Sequence, residues 1–371
     1  MSKTLVIILA ETRAHELTFD TFKKNVMDEL NADLCLCIGV KSDYDYENPF
    51  YKLAKYKFLY NELSGDFGDA FDDAYNILKK DVNKYEKIEK FGKTVKCYGT
   101  YDNENLNKLN LDDFDDDELI IKNNILSNKV NIYGINTNVL ENKNSDIYNE
   151  RIVTYKKSLH WREFLKIQNQ FMGGIEDPIH KHEGSGAILI FFRWFLLKNL
   201  IENDILSKYD RFVITRSDFV FQLPHPKIEM MNANYVWIPD GEDYGGYTDR
   251  HAILSQHNII PYLNIFNNFV LKSNDYFFKM YEKQDWNLEK VIKFNLEQQN
   301  IVNVRKMPYI MYSVRNINGE SRWCHGIYND NLGYFVKYRK EFSASNYYRK
   351  IFEGYSPSID ISEFYKNYIH P

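Results

Sequence analysis

Cysteine is scarce in this chain: four residues in 371, Cys35, Cys37, Cys97 and Cys324. Their spacing matches neither a zinc site nor the disulfide framework of a small secreted domain, so a reducing compartment, the cytoplasm, is expected. A basic excess is missing as well. The 47 Lys and Arg stand against 52 Asp and Glu, a formal net charge of −5, which leaves nothing to neutralise a phosphate backbone and argues against a nucleic-acid partner. No apolar run reaches the ~20 residues that span a bilayer. The strongest, AILIFFRWFLLKNL from Ala187, carries Arg193 in its middle and reads as a buried helix, so no transmembrane segment is expected. The opening MSKTLVIILAETR lacks the length and the small-residue cleavage pattern of a signal peptide and reads as a first strand. Phosphate loops are absent too: there is no Walker loop, and no Gly-x-Gly-x-x-Gly follows the first strand, which argues against P-loop and dinucleotide enzymes. Without an internal repeat or a Pro-rich or Ser-rich linker, one domain with a large insertion is expected rather than two domains.

Aromatic residues are plentiful, with 29 Tyr and 25 Phe, and tyrosine-rich clefts suit flat polar ligands such as sugars and bases. Residues 4–10, TLVIILA, are apolar throughout, as a parallel strand covered on both faces requires. Phe22, Val26 and Leu30 then fall on one helical stripe with Thr18 as a candidate N-cap, and ADLCLCIGV (32–40) returns to strand character. Strand, helix, strand within 40 residues is a βαβ unit, whose ligands sit beyond the strand C-termini. The expected class is α/β, with a mixed, mostly parallel sheet flanked by helices. Residues 41–150 read as a less regular insertion with a strand at AKYKFLY and a helix near 70–90. Residues 155–172 read as a helix, YDRFVITRSDFVFQLP (209–224) as one interrupted strand, DRHAILS as a helix start, and VNVRKMPYIMYSVRN as one strand. The tail after about 340 reads as Tyr-rich packing on the domain. Arg193, inside a helix apolar nearly all round, calls for a carboxylate partner.

Several clusters compete for chemistry. The acidic run 112–118 reads as a solvated loop or helix start, because adjacent carboxylates without a glycine turn rarely converge on one ion. His180, His182 and Glu183 lack the spacing of a helical zinc site and read as structural. GSGA (184–187) suits tight helix packing, with anion binding as the alternative. The stronger constellation is Arg216-Ser217-Asp218 interrupting a buried strand, which is costly unless those residues face a site. With Glu11, Thr12 and Arg13 at the tip of the first strand, they would line one crevice. Asp218 would hold a hard divalent ion and Arg216 would clamp phosphate, unless the two form an internal ion pair. In DGEDYGGYTDR the glycines Gly245 and Gly246 permit a tight turn that gathers Asp240, Glu242, Asp243 and Asp249. Such carboxylates suit sugar hydroxyls and general-base work. The plain alternative for Asp249, and similarly for Asp243, is a helix N-cap.

The first βαβ unit, the YDRFVITRSDFVF strand, WIPDGEDYGGYTDRHAI and the LEKVIKFNLEQQNI helix together resemble nucleotide-sugar glycosyltransferases of GT-A fold found in large DNA viruses, algae and bacteria. The resemblance covers about residues 1–320, with 41–150 matched least. It implies a GT-A-like catalytic domain over 1–340 with 341–371 as a packed tail. The implied activity is transfer of a hexose or pentose from a UDP- or GDP-sugar to a glycan hydroxyl, with inversion favoured. It places Asp218 as the last acid of the Asp-x-Asp element that holds Mn²⁺ or Mg²⁺, with Arg216 replacing the first acid, a departure that leaves room for metal-independent binding. Ala10, Glu11 and Arg13 would border the nucleotide, beside Ser217. Asp243 and Asp249 would face donor sugar and acceptor, one of them as base, in an acceptor wall that includes Asp240, Glu242, Tyr244, Gly245, Gly246 and Arg250. His325 in WCHGIYND would supply a C-terminal metal ligand. The rival readings are a sugar-nucleotide nucleotidyltransferase and a non-catalytic carbohydrate-binding protein.

Overall fold

The computed structural model describes residues 2–62, 65–89, 159–168, 170–176, 182–318, 324–355 and 359–369, with the side chains of 81–89 left aside. The acidic run 112–118, Cys97 and His180 lie outside the described residues. The chain divides into two compact units, one of Met1–Phe67, Asn169–Leu263 and Trp286–Pro371, the other of Gly68–Gln168 and Asn264–Asp285.

The first unit holds a seven-stranded sheet of order β3-β2-β1-β4-β7-β6-β8. Its strands are β1 (Thr4–Ala10), β2 (Asp33–Val40), β3 (Tyr56–Asn61), β4 (Arg211–Thr215), β6 (Val236–Pro239), β7 (Ala252–Ser255) and β8 (Val304–Met307). β3, β2, β1 and β4 run parallel, β7 is antiparallel to β4 and β6, and β8 is parallel to β6. The protein is thus α/β with a mixed, mostly parallel sheet. Every residue of β1 is buried, as its unbroken apolar run requires. Val6 and Ile8 pack with Phe22 of α1 (His15–Phe22), Val26 of the π-helical turn that follows, and Phe50 of α2 (Pro49–Leu53). Each such side chain contributes roughly 1.5–3 kcal/mol by leaving water. The second unit contains α3 (Gly68–Glu89), a 3₁₀ turn at Trp161–Lys166, and the helices α6 (Ile265–Leu271) and α7 (Ser273–Lys283). In the first unit, α4 (Gly186–Glu202) packs on β1 and β2, where the Cys37 thiol reaches the Phe192 carbonyl at 3.7 Å. After β7 the chain enters α5 (Gln256–Leu263). α8 (Leu288–Gln298) precedes β8, and α9 (Arg339–Gly354) and α10 (Ile361–Lys366) form the tail. Among the described residues, no helix is long and apolar enough to cross a membrane.

A second sheet of order β10-β11-β9-β5 contains β5 (Phe219–Phe221), β9 (Met311–Arg315), β10 (Ile327–Asn329) and β11 (Tyr334–Val336). Two stretches that each read as a single strand change sheets partway. The 209–224 run supplies β4 to the first sheet and β5 to the second, with Arg216-Ser217-Asp218 as the link. The 302–316 run does the same through β8 and β9, with Pro308 between them; proline cannot donate to a ladder, so the strand breaks there.

Other sequence expectations need correction. Residues 41–61 are no insertion: α2 and β3 extend the main sheet, because β3 pairs in parallel with β2 over Tyr56–Asn61. Residues 252–255 form a buried strand rather than a helix start, so Asp249 caps no helix. Within 155–172, the helical part of the described residues is the 3₁₀ turn at Trp161–Lys166, ended by the extended backbone of Ile167. Thr18 lies inside α1, where its hydroxyl donates to the Ala14 and Ser217 carbonyls. Arg193 bonds the carbonyls of Leu189 (3.2 Å) and Asp249 (3.4 Å) and lies over the Tyr262 ring, instead of meeting a carboxylate.

Behind the tip of β4 runs a buried polar chain. The His225 Nδ1 donates to the Pro226 carbonyl (2.7 Å), so its Nε2 accepts from His251 Nε2 (3.3 Å), and His251 Nδ1 accepts from the Thr215 hydroxyl (3.0 Å). Burial lowers both imidazoles, His225 to about 4, and holds them neutral. The unfolded chain protonates them below their ordinary ~6.5, so it binds more protons as the pH falls. Their contribution to stability is therefore complete above about pH 6.5 and is lost as the pH drops towards about 4. Melting temperature measured between about pH 7.5 and 4 should fall more gently in a His225→Leu/His251→Leu variant than in the wild type. Identical slopes would contradict the neutral pair.

Candidate functional site

The chain leaves β1 for β2 on one side while β4 pairs on the other, and such a switch point opens a crevice beyond the strand C-termini. A cavity of about 480 Å³ lies there, lined by Leu9 to Arg13, Ile214 to Asp218, Lys41, Asp43 and Tyr44. The tips of β1 and β4 are stitched together by Ser217. Its hydroxyl accepts from the Arg13 amide (2.9 Å) and donates to the Glu11 carbonyl (3.0 Å). Ala10 (φ 76°) and Ala14 (φ 53°) take left-handed backbone that is uncommon outside glycine, so this stretch is held in a conformation set by its surroundings. Arg13 pairs with Glu11 at the rim.

Asp218 is 1% exposed. Arg216 grips both its oxygens at 2.8 Å, and the buried Arg315 at the end of β9 bonds one of them. Burial alone would raise the Asp218 carboxyl, yet Arg216 and Arg315 outweigh it and hold the group well below the ordinary range. The open ion-pair alternative is therefore what the geometry contains. Two guanidiniums on one carboxylate leave one excess positive charge at this point of a wall that also carries Glu11, Asp43, Glu62 and Asp249.

A second cavity of about 200 Å³ adjoins the first, and Ser185, Leu189, Arg216, Asp249 and Lys337 line both. The start of α4 opens here, with Gly184, Ser185 and Gly186 on the wall, so its positive dipole end faces the cleft. Gly186 is also a packing glycine, since a Cβ would lie 2.5 Å from the Phe171 carbonyl oxygen. Both readings of GSGA thus have a structural counterpart.

The acid-and-glycine turn forms part of the second lobe. Tyr247 N–H donates to the Glu289 carbonyl (3.0 Å) and Asn287 donates to the Tyr244 carbonyl (3.0 Å), pinning the turn to the first turn of α8. Gly246 makes this possible, for a Cβ there would sit 2.0 Å from the Glu289 backbone. The docking brings Glu289 and Asp249 to the same lobe. Burial first, then the Asp249 charge, push the Glu289 carboxyl up to about 7. Glu289 therefore exchanges its proton near neutrality, well above the ordinary range of a carboxyl group.

The expected residues separate clearly. Ala10, Glu11, Arg13, Arg216, Ser217 and Asp218 all line the first cavity, and Tyr244, Asp249 and Arg250 line the second. Asp240, Glu242, Asp243, Gly245 and Gly246 line neither. Lys306 holds both oxygens of Asp243, at 2.7 and 2.5 Å. Glu242 is an internal partner of Tyr244 and Arg250. Arg250, 5% exposed, lies between Glu242 and Glu341 and over the Tyr338 ring, so it braces the wall. His325 packs edge-on against Phe335 at 4.4 Å and lines neither cavity. Among the described residues, no three His, Cys, Asp or Glu side chains gather as a metal set. Asp218, with both oxygens bonded to guanidiniums, does not fit the oxygen-rich shell that Mn²⁺ or Mg²⁺ demands. Glu289, Lys337, Arg315 and Tyr338 were not legible as site residues. The only local signal was Asn287 as the N-cap, accepting from Lys290 N–H (2.8 Å), which places Glu289 in a first turn.

The fold and cleft define an α/β protein with a crevice beyond parallel strands that is lined by charged residues of both signs. No family model, curated protein or solved structure matches the chain. Gly246→Ala should cost about 1–3 kcal/mol by overpacking and release the turn from α8. Chemical denaturation measures the first effect. A neutral substitution would contradict the close approach at Glu289.

Proposed function

We propose that the protein is a GT-A-like, inverting glycosyltransferase that takes its sugar from a nucleoside-diphosphate sugar. The observation that carries this reading is the continuity of two lobes, the larger with Arg216 and Arg315 on its wall and the smaller with Asp249 and Glu289, with Arg216, Asp249 and Lys337 lining both. A diphosphate in the larger lobe would meet Arg216 and Arg315, whose planar donors suit phosphate oxygens. The nucleoside would extend towards Glu11, Thr12, Arg13 and Tyr44, and the acceptor hydroxyl of a glycan would enter beside Tyr244 and Tyr338.

The chemistry follows from charge. As the glycosidic bond to phosphate breaks, negative charge develops on the leaving oxygen, and preorganised cations lower that barrier. The acceptor hydroxyl must lose a proton at the same time, and a carboxylate with a pKa near the working pH is an efficient base. Glu289, raised to about 7, meets that requirement, with Asp249 as its charged neighbour. Asp243, tied to Lys306, is left out of the role. Neutralisation by arginine replaces the divalent ion, because Asp218 is already spent on Arg216 and Arg315.

The test is release of nucleoside diphosphate from a panel of UDP- and GDP-sugars, with Mn²⁺ and with chelator. Slow hydrolysis of at least one donor is expected, undiminished by chelator. Its rate should decline as the pH falls through about 7, when Glu289 takes up its proton, and Glu289→Gln should lower it by about 10²-fold or more and abolish that pH limb. Failure of every donor to bind or turn over would overturn the reading and favour a non-catalytic role.

A further inference from the structure

Lys337 follows β11 and lines both lobes. Among the described residues it has no carboxylate at ion-pairing distance, whereas Arg13, Arg216, Arg250 and Arg315 each have one. The groups around it come from several elements. Arg216 and Asp218 belong to the β4–β5 link, Arg315 ends β9, and Arg250 and Asp249 precede β7. Glu289 opens α8, and Lys337 Nζ lies 4.8 Å from the centre of the Tyr338 ring. Burial, then the Arg216 and Arg315 charges, pull its ammonium down to about 6. At neutral pH the amine is mostly uncharged, an unpaired donor set between guanidiniums at the place where the lobes meet.

We propose that Lys337 completes the diphosphate seat with Arg216 and Arg315, and that seating the diphosphate draws one proton from solvent onto its amine. The inference rests on the glycosyl-transfer reading and adds to it a proton-coupled donor step. A diphosphate brings two negative charges against Arg216 and Arg315, cancels the repulsion that adds to burial in keeping Lys337 neutral, and supplies the missing counter-ion. The newly charged lysine then stands at the junction of donor and acceptor lobes, where the leaving oxygen acquires its charge. The sign of the pH dependence follows. Ammonium formation accompanies binding, so affinity increases as the pH falls from about 8.5 towards about 6.5, by up to about tenfold per unit, and levels off once the free enzyme is already protonated.

Isothermal titration with UDP-glucose and GDP-mannose tests this, because their esterified diphosphates have no proton equilibrium of their own in this range. At about pH 7.5, in two buffers of different ionisation enthalpy, binding of either donor should take up close to one proton. Lys337→Met should bind more weakly and without uptake, whereas Glu289→Gln should retain the uptake. Binding with a buffer-independent heat would overturn the proposal while leaving glycosyl transfer standing, as would uptake that persists in Lys337→Met or vanishes in Glu289→Gln. Binding of neither donor at any pH would overturn the proposal together with the reading beneath it. Should Lys337→Met fail to fold, the wild type and Glu289→Gln still decide the matter.

Discussion

A buried carboxylate held by two guanidiniums organises the site. Asp218 sits on the link where the chain leaves the large sheet for the small one, Arg216 is two residues before it, and Arg315 reaches it from the end of β9. Two ion pairs on one acid therefore join the switch between sheets to a strand nearly a hundred residues further along. Removing one member of such a buried set typically costs about 3–5 kcal/mol, because the remaining charge is left uncompensated. The geometry of this charged wall and the integrity of the fold rest on the same contact.

From this contact the rest of the cleft follows in order. Ser217, between the two charged residues, stitches the β1 tip to the β4 tip and sets the backbone of residues 10–14. The tail contributes as well: buried Glu341 of α9 accepts from the Ser313 amide and the Tyr309 hydroxyl and lies 3.4 Å from Arg250. Glu341 therefore helps to brace the wall of the smaller lobe through Arg250. The docking of the 240–249 turn on α8 then supplies the second acid.

Much of the architecture was legible in the sequence, for definite reasons. β1 and the stretch of β2 after Asp33 are short apolar runs because both their faces are covered, and they end in polar tips. The polar break at 216–218 also announced itself, since charge inside a buried strand requires compensation. What could not be read was the change of sheet at that break, because side-chain periodicity carries no information about which sheet a strand joins. β7 was misread as a helix start because four buried residues behind an Asp-Arg pair have no distinguishing period. Glu289 and Lys337 were invisible for another reason: a single charge in an amphipathic helix or beside a short strand looks like surface, and only the fold aims it inward. In the acid-and-glycine turn the clustering was legible, but half of its acids serve Lys306, Tyr244 and Arg250 instead of the cleft.

The most direct measurement is a crystal structure of the protein soaked with UDP-glucose or GDP-mannose in the presence of chelator. The account requires the diphosphate within hydrogen-bonding distance of Arg216, Arg315 or Lys337, with Asp218 still gripped by its two arginines and the sugar directed towards Asp249 and Glu289. A diphosphate bound elsewhere, or one that appears only when Asp218 lets go of its arginines to hold a metal ion, would contradict it.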